Sequence, residues 1–352
     1  MLPRNDAQYD YLASEYIVFD NDGKLDQIAH LTNNLYNMAN YLLRQEFIKH
    51  HRFHKMSWLN KMIKAKYENR ENMLYSQFPY RQTVQQTLNE LIGVWYAWSQ
   101  ALKAYKENPH KFTGKPRIPG YLQKGKRHVF YVTNQNAKVK NGYLIIQPRN
   151  GLINVKVKLR PEIKNIKRVV FQPLSKNRFK VIVQYQLDKS VKYLPDNGKY
   201  VGIDPGLDNA FTVVDSTGKH RPLIINGKPV KSMNQYYNKN RAKLYSLLAM
   251  YHQNKIIIQT KQGPKPIYSE SNRLIKLTLK RNQKLFDFIH KATKSIVDYT
   301  LNCGANAIVI GKNKNWKRSI HLGKRINQNF IGIPHARMIE ILKYKANLKG
   351  IA

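Results

Sequence analysis

Leu25, Ile28, Leu31, Leu35, Met38, Leu42 and Phe47 recur about every three or four residues, and Val84, Leu88, Leu91, Trp95 and Leu102 repeat the rhythm further on. A period near 3.6 lines apolar side chains along one helix face. The two runs therefore predict the seams of a small helical bundle over about residues 25–107. Before it, EYIVFD (15–20) reads as a short strand closed by Asn21-Asp22-Gly23. After it, the Gly and Pro of GKPRIPGYLQKGKR (114–127) break the helical pattern. The β-type runs HVFYVT, YLIIQP, INVKVKL, KRVVFQPL and RFKVIVQYQL then follow, separated by polar turns such as Lys140-Asn141-Gly142. Runs at this spacing predict a small β-barrel. One strand precedes the helices and the rest follow, so the helices are expected to be inserted into that barrel.

The pattern changes again at about residue 199. KYVGIDPGLDNAFTVVDSTGKHRPLIING reads as three strands joined by tight turns. Helical stretches are predicted at about 232–258 and 270–303, then a buried-type strand, AIVIG (307–311), and a helix from about 334 to 349. A β-β-β-α-β-α order is the skeleton of an RNase H-like domain, which would be owed a further strand and helix beyond the last residue. The expected fold is multidomain α/β: a first barrel strand in 1–24, an inserted helical lobe in 25–113, the rest of the barrel in 114–196 and an incomplete RNase H-like (RuvC) domain in 197–352.

Composition narrows the partners. The 352 residues are 42% hydrophobic, enough to bury real cores in two or three domains. Lys and Arg number 61 against 21 Asp and Glu, a net charge of +40 spread along the whole chain. Such a chain repels itself unless it meets a polyanion. No apolar run approaches the roughly 20 residues of a spanning helix, and MLPRNDAQYDY lacks a signal-peptide core. A soluble, cytoplasmic, nucleoid-associated bacterial protein is expected, with no membrane partner. The single Cys303 excludes intramolecular disulfides and a cysteine-built zinc site. His50, His51 and His54 lie in a basic helical stretch and are expected to be solvated, so no metal site is predicted. Aromatics, including 23 Tyr, interleave with the basic residues. That mixture suits base stacking with phosphate neutralisation.

Catalysis in this fold requires carboxylates on neighbouring strand and helix ends to hold two divalent ions about 4 Å apart. Gly202-Ile203-Asp204-Pro205-Gly206 puts Asp204 at the end of the first RuvC strand. The second carboxylate should end Ala307–Ile310, but Gly311-Lys312-Asn313 stands there. The third would lie on a helix beyond Ala352. Glu340 falls inside a helix and is expected to be solvated. Asp204 is therefore expected to be vestigial. An active enzyme would need Asp208, Asp215, Asp298 or Glu340 to supply the partners.

GKPRIPGY (114–121), VGIDPGLDN (201–209), KSMNQYYNKNRAKL (231–244), IVIGKNKNWKRSIHLGKRINQNFIGIPH (308–335) and YKANLKGI (344–351) form an ordered series. Together they resemble the transposon-encoded RNA-guided nucleases called TnpB, ancestors of the type V CRISPR effectors. The resemblance implies a wedge-like barrel with a helical recognition lobe, then RuvC, wrapped around a guide RNA. In the branch with G-K-N at the second motif, the glutamate lies beyond YKA-x-x-x-G-I, a stretch not contained in this sequence. Loss of cutting with retained binding lobes is similar to the TnpB-like nuclease-dead repressors, in which a guide RNA directs promoter occupancy. The implied partners are one guide RNA per protein and double-stranded DNA bearing a short flanking motif. Any Mg²⁺ would serve RNA structure only, and binding needs no cofactor. A metal-dependent RNA-guided endonuclease is the alternative, and a decayed or truncated transposon protein with RNA-binding remnants is a third reading.

Residue roles follow from side-chain chemistry. Arg81, Gln82, Gln85, Gln86 and Asn89 on one helix, with Lys115, Arg117 and Tyr121 in the linker, are candidates for reading the flanking motif, since Gln and Asn pair with adenine and Arg or Lys with guanine. Candidates for the RNA or heteroduplex backbone are Lys231, Asn234, Gln235, Tyr236, Lys239, Arg241, Lys243, Arg273, Lys276, Lys280, Arg281, Lys312, Asn313, Trp316, Lys317, Lys324 and Arg325.

Overall fold

The computed structural model describes residues 12–67, 77–146, 155–174, 177–186, 192–251, 255–260, 263–268, 271–311, 323 and 332–352. The chain divides into two compact units, one over Tyr9–Asp188 and one over Lys189–Ala352.

In the first unit, β1 (Leu12–Phe19) precedes the helices α1 (Lys24–His50), α2 (Met56–Tyr67) and α3 (Arg81–Glu107). Six strands follow: β2 (Phe130–Thr133), β3 (Ala137–Lys140), β4 (Tyr143–Ile146), β5 (Lys156–Lys158), β6 (Asn165–Pro173) and β7 (Arg178–Gln186). β1 pairs antiparallel with β7 along its whole length, from Leu12↔Tyr185 to Phe19↔Arg178. The helices are thus inserted between two neighbours of one sheet. The buried Asp20 carboxylate accepts the amides of Leu25 and Asp26 at 3.2 and 2.8 Å, which fixes the start of α1 where the first-turn donors lack helical partners. Leu25, Ile28, Leu35 and Leu42 pack with Val84, Leu88, Leu91 and Trp95, as the periodicity predicts. Along β7 Phe179, Val181, Val183 and Tyr185 face this core, the period-two alternation of a half-buried strand.

The barrel expectation needs correction. Among the described residues the strands form a four-stranded sheet, β1-β7-β6-β2, and a separate three-stranded sheet, β3-β4-β5, with no closed barrel. The physical reason lies in β3, AKVK, which carries too little apolar pattern to be recognised as a strand. It folds back on β4 across Asn141-Gly142, both at positive φ, the two-residue turn favoured by hairpins. The meander pairs within itself and does not extend the larger sheet.

The second unit opens with β8 (Tyr200–Asp204), β9 (Asn209–Asp215) and β10 (Leu223–Asn226). It continues through α4 (Lys228–Met250), β11 (Lys255–Thr260), β12 (Gly263–Tyr268), α5 (Asn272–Asn302), β13 (Ala307–Ile310) and α6 (His335–Asn347). Its sheet runs β10-β9-β8-β13, with β13 parallel to β8 and the other pairs antiparallel. Val201, Ile203, Phe211 and Val213 from the sheet share a core with Ile289 and Ile296 of α5 and Met338 and Leu342 of α6. The helix predicted over 232–258 ends at Met250, and the hairpin β11-β12 follows it. The β-branched run KIIIQT and the prolines at 264 and 266 favour strand over helix there. After α6, Ile351 donates its amide to Ala346 at 3.0 Å. Ala352 then bridges β13, donating to Asn306 and accepting from Ile308, both at 2.9 Å. No described helix is long and apolar enough to cross a membrane.

Candidate functional site

Asp204 is the last residue of β8, and its side chain is exposed. The parallel register sets Ile203 opposite Ile310, so Gly311 follows at the level of Asp204. The Gly311 amide donates to the Ile203 carbonyl at 2.9 Å. Among the described residues, a Cβ on Gly311 would meet its nearest atom at 3.6 Å, an ordinary contact, so their packing does not demand glycine at this strand end. The position expected to carry the second carboxylate has room for a side chain and lacks one.

The turn after Asp204 is packed tightly. A Cβ on Gly206 would lie 2.6 Å from the Asn209 carbonyl, and one on Gly227 2.8 Å from the Leu207 carbonyl. Only residues without a Cβ allow the backbone to approach so closely. The Gly206 carbonyl lies 2.8 Å from Nε2 of His335, which is wholly buried. The Asn234 side chain donates to the Gly332 carbonyl at 2.9 Å, and its oxygen accepts from Nε and Nη2 of Arg281 at 2.9 and 2.8 Å. Three sequence motifs, GIDPG, MNQ and GIPH, are thus joined by hydrogen bonds or closely packed elements around the Asp204 turn. Asn234 and Arg281, candidates for nucleic-acid contact, bond each other. His335 went unassigned in the sequence because its partner is a carbonyl distant along the chain.

Among the described residues, the other acids do not assemble a set with Asp204. Residues 312–331 contain no Asp or Glu. Asp208 is bound by Lys231 at 2.6 Å, which lowers its carboxyl below the usual value. Asp298 pairs with Lys294 at 2.6 Å, and Glu340 is exposed on α6. Asp215 pairs with Val201 whereas Asp204 pairs with Thr212, so the two lie at opposite ends of β8, roughly 10 Å apart at 3.3 Å per residue. The Thr217 hydroxyl and His220 hold the Asp215 carboxyl well below the ordinary carboxylate range. Among the described residues, no group of three ligand-type side chains includes Asp204. The group that does form is Asp215, His220 and Cys303, with ligand atoms within 4.8 Å of one another. The described residues therefore do not fit a two-ion nuclease centre at Asp204.

Two helices of the second unit carry the described candidates for backbone contact. α4 buries only Val230, Asn234 and Leu248 among its described side chains and exposes Gln235, Tyr236, Lys239, Arg241 and Lys243. The Arg241 guanidinium lies 5.1 Å from the Tyr245 ring. On α5, Arg273, Lys276 and Lys280 are exposed. Lys312, Asn313, Trp316, Lys317, Lys324 and Arg325 lie outside the described residues.

In the first unit Arg81, Asn89, Lys115, Arg117 and Tyr121 are exposed, while Gln82, Gln85 and Gln86 are half-buried. Gln82 is tied to Gln135 and Asn136, which limits its freedom to read a base. The linker is held by groups that sequence reasoning missed. Asn37 and Asn40 of α1 donate to the carbonyls of Leu122 and Gly120 at 3.0 and 2.8 Å, and Arg44 donates to Pro119 at 2.7 Å. Asn37 also accepts the Leu122 amide at 2.7 Å, and the buried Asn40 accepts from Trp95 Nε1 at 2.9 Å. The overlooked signal is the spacing of Asn33, Asn37 and Asn40, three poor helix formers on one helix face that Arg44 continues. Nearby, Glu90 lies 3.2 Å from His128 and accepts from Tyr131 at 2.9 Å. Burial alone would raise its carboxyl, but these contacts and the Arg168 charge lower it below the usual value.

Residues 180–317 match the sequence profile of the family OrfB_IS605, described as "Probable transposase". No curated protein matches the chain. Among solved structures, the chain resembles one titled "Cryo-EM structure of the Cas12f1-sgRNA-target DNA complex", with a TM-score of 0.51 and 12% identity over 93% of this chain and 71% of that one. A second, "Cryo-EM structure of CRISPR-Cas12f Ternary Complex", gives a TM-score of 0.31 and 13% identity over 93% and 69%. The first likeness concerns the fold. The profile match covers residues 180–317, in the region of the VGIDPGLDN and KSMNQYYNKNRAKL motifs, and the two findings agree with the resemblance that the ordered motifs carry.

Proposed function

We propose that the protein is an RNA-guided, sequence-specific DNA-binding protein without nuclease activity, which represses transcription by occupying guide-matched promoter DNA beside a short flanking motif. The observation that carries this reading is the strand end where exposed Asp204 stands beside Gly311. Two-ion phosphodiester cleavage needs several converging carboxylates. The net charge of +40 supports a polyanionic partner. The fold resembles a protein whose structure title names an sgRNA and target DNA. The guide RNA would lie along the exposed basic residues of α4 and α5, and the flanking duplex against α3 and the linker. Base pairing would then supply the specificity and the protein the backbone contacts.

The test is to sequence the RNA that copurifies, then compare binding to matched and unmatched DNA and incubate a matched supercoiled plasmid with Mg²⁺ or Mn²⁺. Guided binding, an intact plasmid, and binding and reporter repression by Asp204→Ala within about twofold of wild type (~0.4 kcal/mol) are expected. Metal-dependent nicking that disappears in Asp204→Ala would make the protein an endonuclease. Equal binding to both DNAs would remove the guide.

A further inference from the structure

We propose that Asp215, His220 and Cys303 bind one borderline-soft divalent ion of the zinc class, at the end of the β8-β9 pair opposite Asp204. The inference does not depend on the guide-RNA reading. Three separate elements deliver the ligands: Asp215 ends β9, His220 lies in the connection to β10, and Cys303 follows the last turn of α5. One ligand atom from each lies within 4.8 Å of the others, and His220 Nδ1 is 3.0 Å from Asp215 Oδ2. The Asp215 side chain has no exposed surface and Cys303 is buried, whereas the His220 side chain is 41% exposed. The site is thus enclosed on two sides and open to entry on the third. Carboxylate oxygen, imidazole nitrogen and thiolate sulfur are ligands for zinc. Magnesium and calcium instead take oxygen shells. Three protein ligands leave a fourth position for water.

The surrounding bonds suit this use. The Thr217 amide donates to the other Asp215 oxygen, Oδ1, at 3.1 Å, and the Thr217 hydroxyl donates to Oδ2, so the carboxylate is held in place and Oδ2 offers the ion the lone pair now facing His220. Binding would replace the direct contact between Asp215 and His220 and tie the β9-β10 connection to the end of α5. The ionisable groups around the thiol are Tyr299 on α5, Asp215 on β9 and His220. Burial, helped by the Asp215 charge, keeps the Cys303 thiol protonated to higher pH than usual. The ion must therefore displace that proton: Cys–SH and M²⁺ give a Cys–S–M linkage and H⁺. Affinity consequently rises with pH.

The test is a Co²⁺ titration of the full chain, with its copurified nucleic acid, followed by absorption spectroscopy. One equivalent should produce the ligand-field bands of a four-coordinate cobalt site and a thiolate-to-cobalt charge-transfer band. Added Zn²⁺ should abolish both and raise the Tm. Cys303→Ser should lose the charge-transfer band, and His220→Ala should bind about tenfold or more weakly and lose the Zn²⁺-dependent rise in Tm. His220 is exposed enough for its alanine variant to keep the fold, which circular dichroism checks. A wild-type protein with no charge-transfer band at excess Co²⁺ would overturn the proposal, as would a band of undiminished strength and affinity in folded His220→Ala.

Discussion

The two ends of the β8-β9 pair make opposite use of an aspartate. At one end Asp204 is exposed beside a glycine, on a turn packed so closely that Gly206 and Gly227 each lie within 3 Å of backbone oxygens at the position of an added Cβ. At the other, Asp215 is buried and accepts from Thr217, with His220 against it. Among the described residues, the strand end where this fold would place catalytic metal is sparse in ligands, and the opposite end, where Asp215 entered only as a substitute carboxylate, is rich in them. The GIDPG motif is therefore built into the packing of its turn as well as placing an aspartate at the strand end.

Disturbing the packed turn should have the largest effect. Gly227→Ala places a Cβ among three backbone atoms at 2.8 to 3.1 Å, and a loss of about 3 kcal/mol is expected in urea unfolding. A loss below ~0.5 kcal/mol, the ordinary range of surface changes, would show the turn to be pliable. Asp215→Asn comes next: it leaves the Thr217 and His220 contacts to a buried side chain without their anion and should lower the Tm clearly. The pH dependence carries a sign. Because the folded carboxyl is depressed, its stabilisation is complete above the unfolded value of about 3.9 and is lost as pH falls toward the lower folded value. Asp215→Asn should flatten that acid limb, and identical limbs would place the acid-sensitive group elsewhere. At the other end, Asp204→Asn should change stability by less than ~0.5 kcal/mol. Smallest of all is Lys231→Ala, which removes an exposed pair with Asp208 and should leave the Tm unchanged. If Lys231 also meets phosphate, the salt slope of nucleic-acid binding should fall by about 1.

Much of the fold was legible because it is written in local periodicity. The seams of α1 and α3 and the three strands ending in β10 follow from spacing alone, and the insertion of the helices between strands follows from strand order. The division of the expected barrel into two sheets does not, because two apolar residues in AKVK carry no record of which sheet they join. The helix beyond Met250 failed for a different reason: Leu and Tyr spacing continues to the edge of a β-branched run, and the switch to a hairpin depends on Pro264 and Pro266. At the strand end, Asp204 and Gly311 could be aligned from sequence because both end predicted strands. Asp215, His220 and Cys303 could not, since ligand spacing along the chain misses a group assembled across a sheet and a helix.

The linker held on α1 carries a thermodynamic consequence. Segment 116–123 gives carbonyls to Asn33, Asn37, Asn40, Arg44 and Trp98, so its backbone is ordered when the unit folds. Immobilising a free backbone takes roughly 1–2 kcal/mol per residue, and a loop ordered only on meeting its partner would lose that much from its affinity. Here the loss is incurred at folding. On the proposed reading, the exposed Arg117 and Tyr121 side chains, the latter with the Arg44 guanidinium 5.2 Å from its ring, would meet a ligand from a track already set, with only their rotamers left to fix.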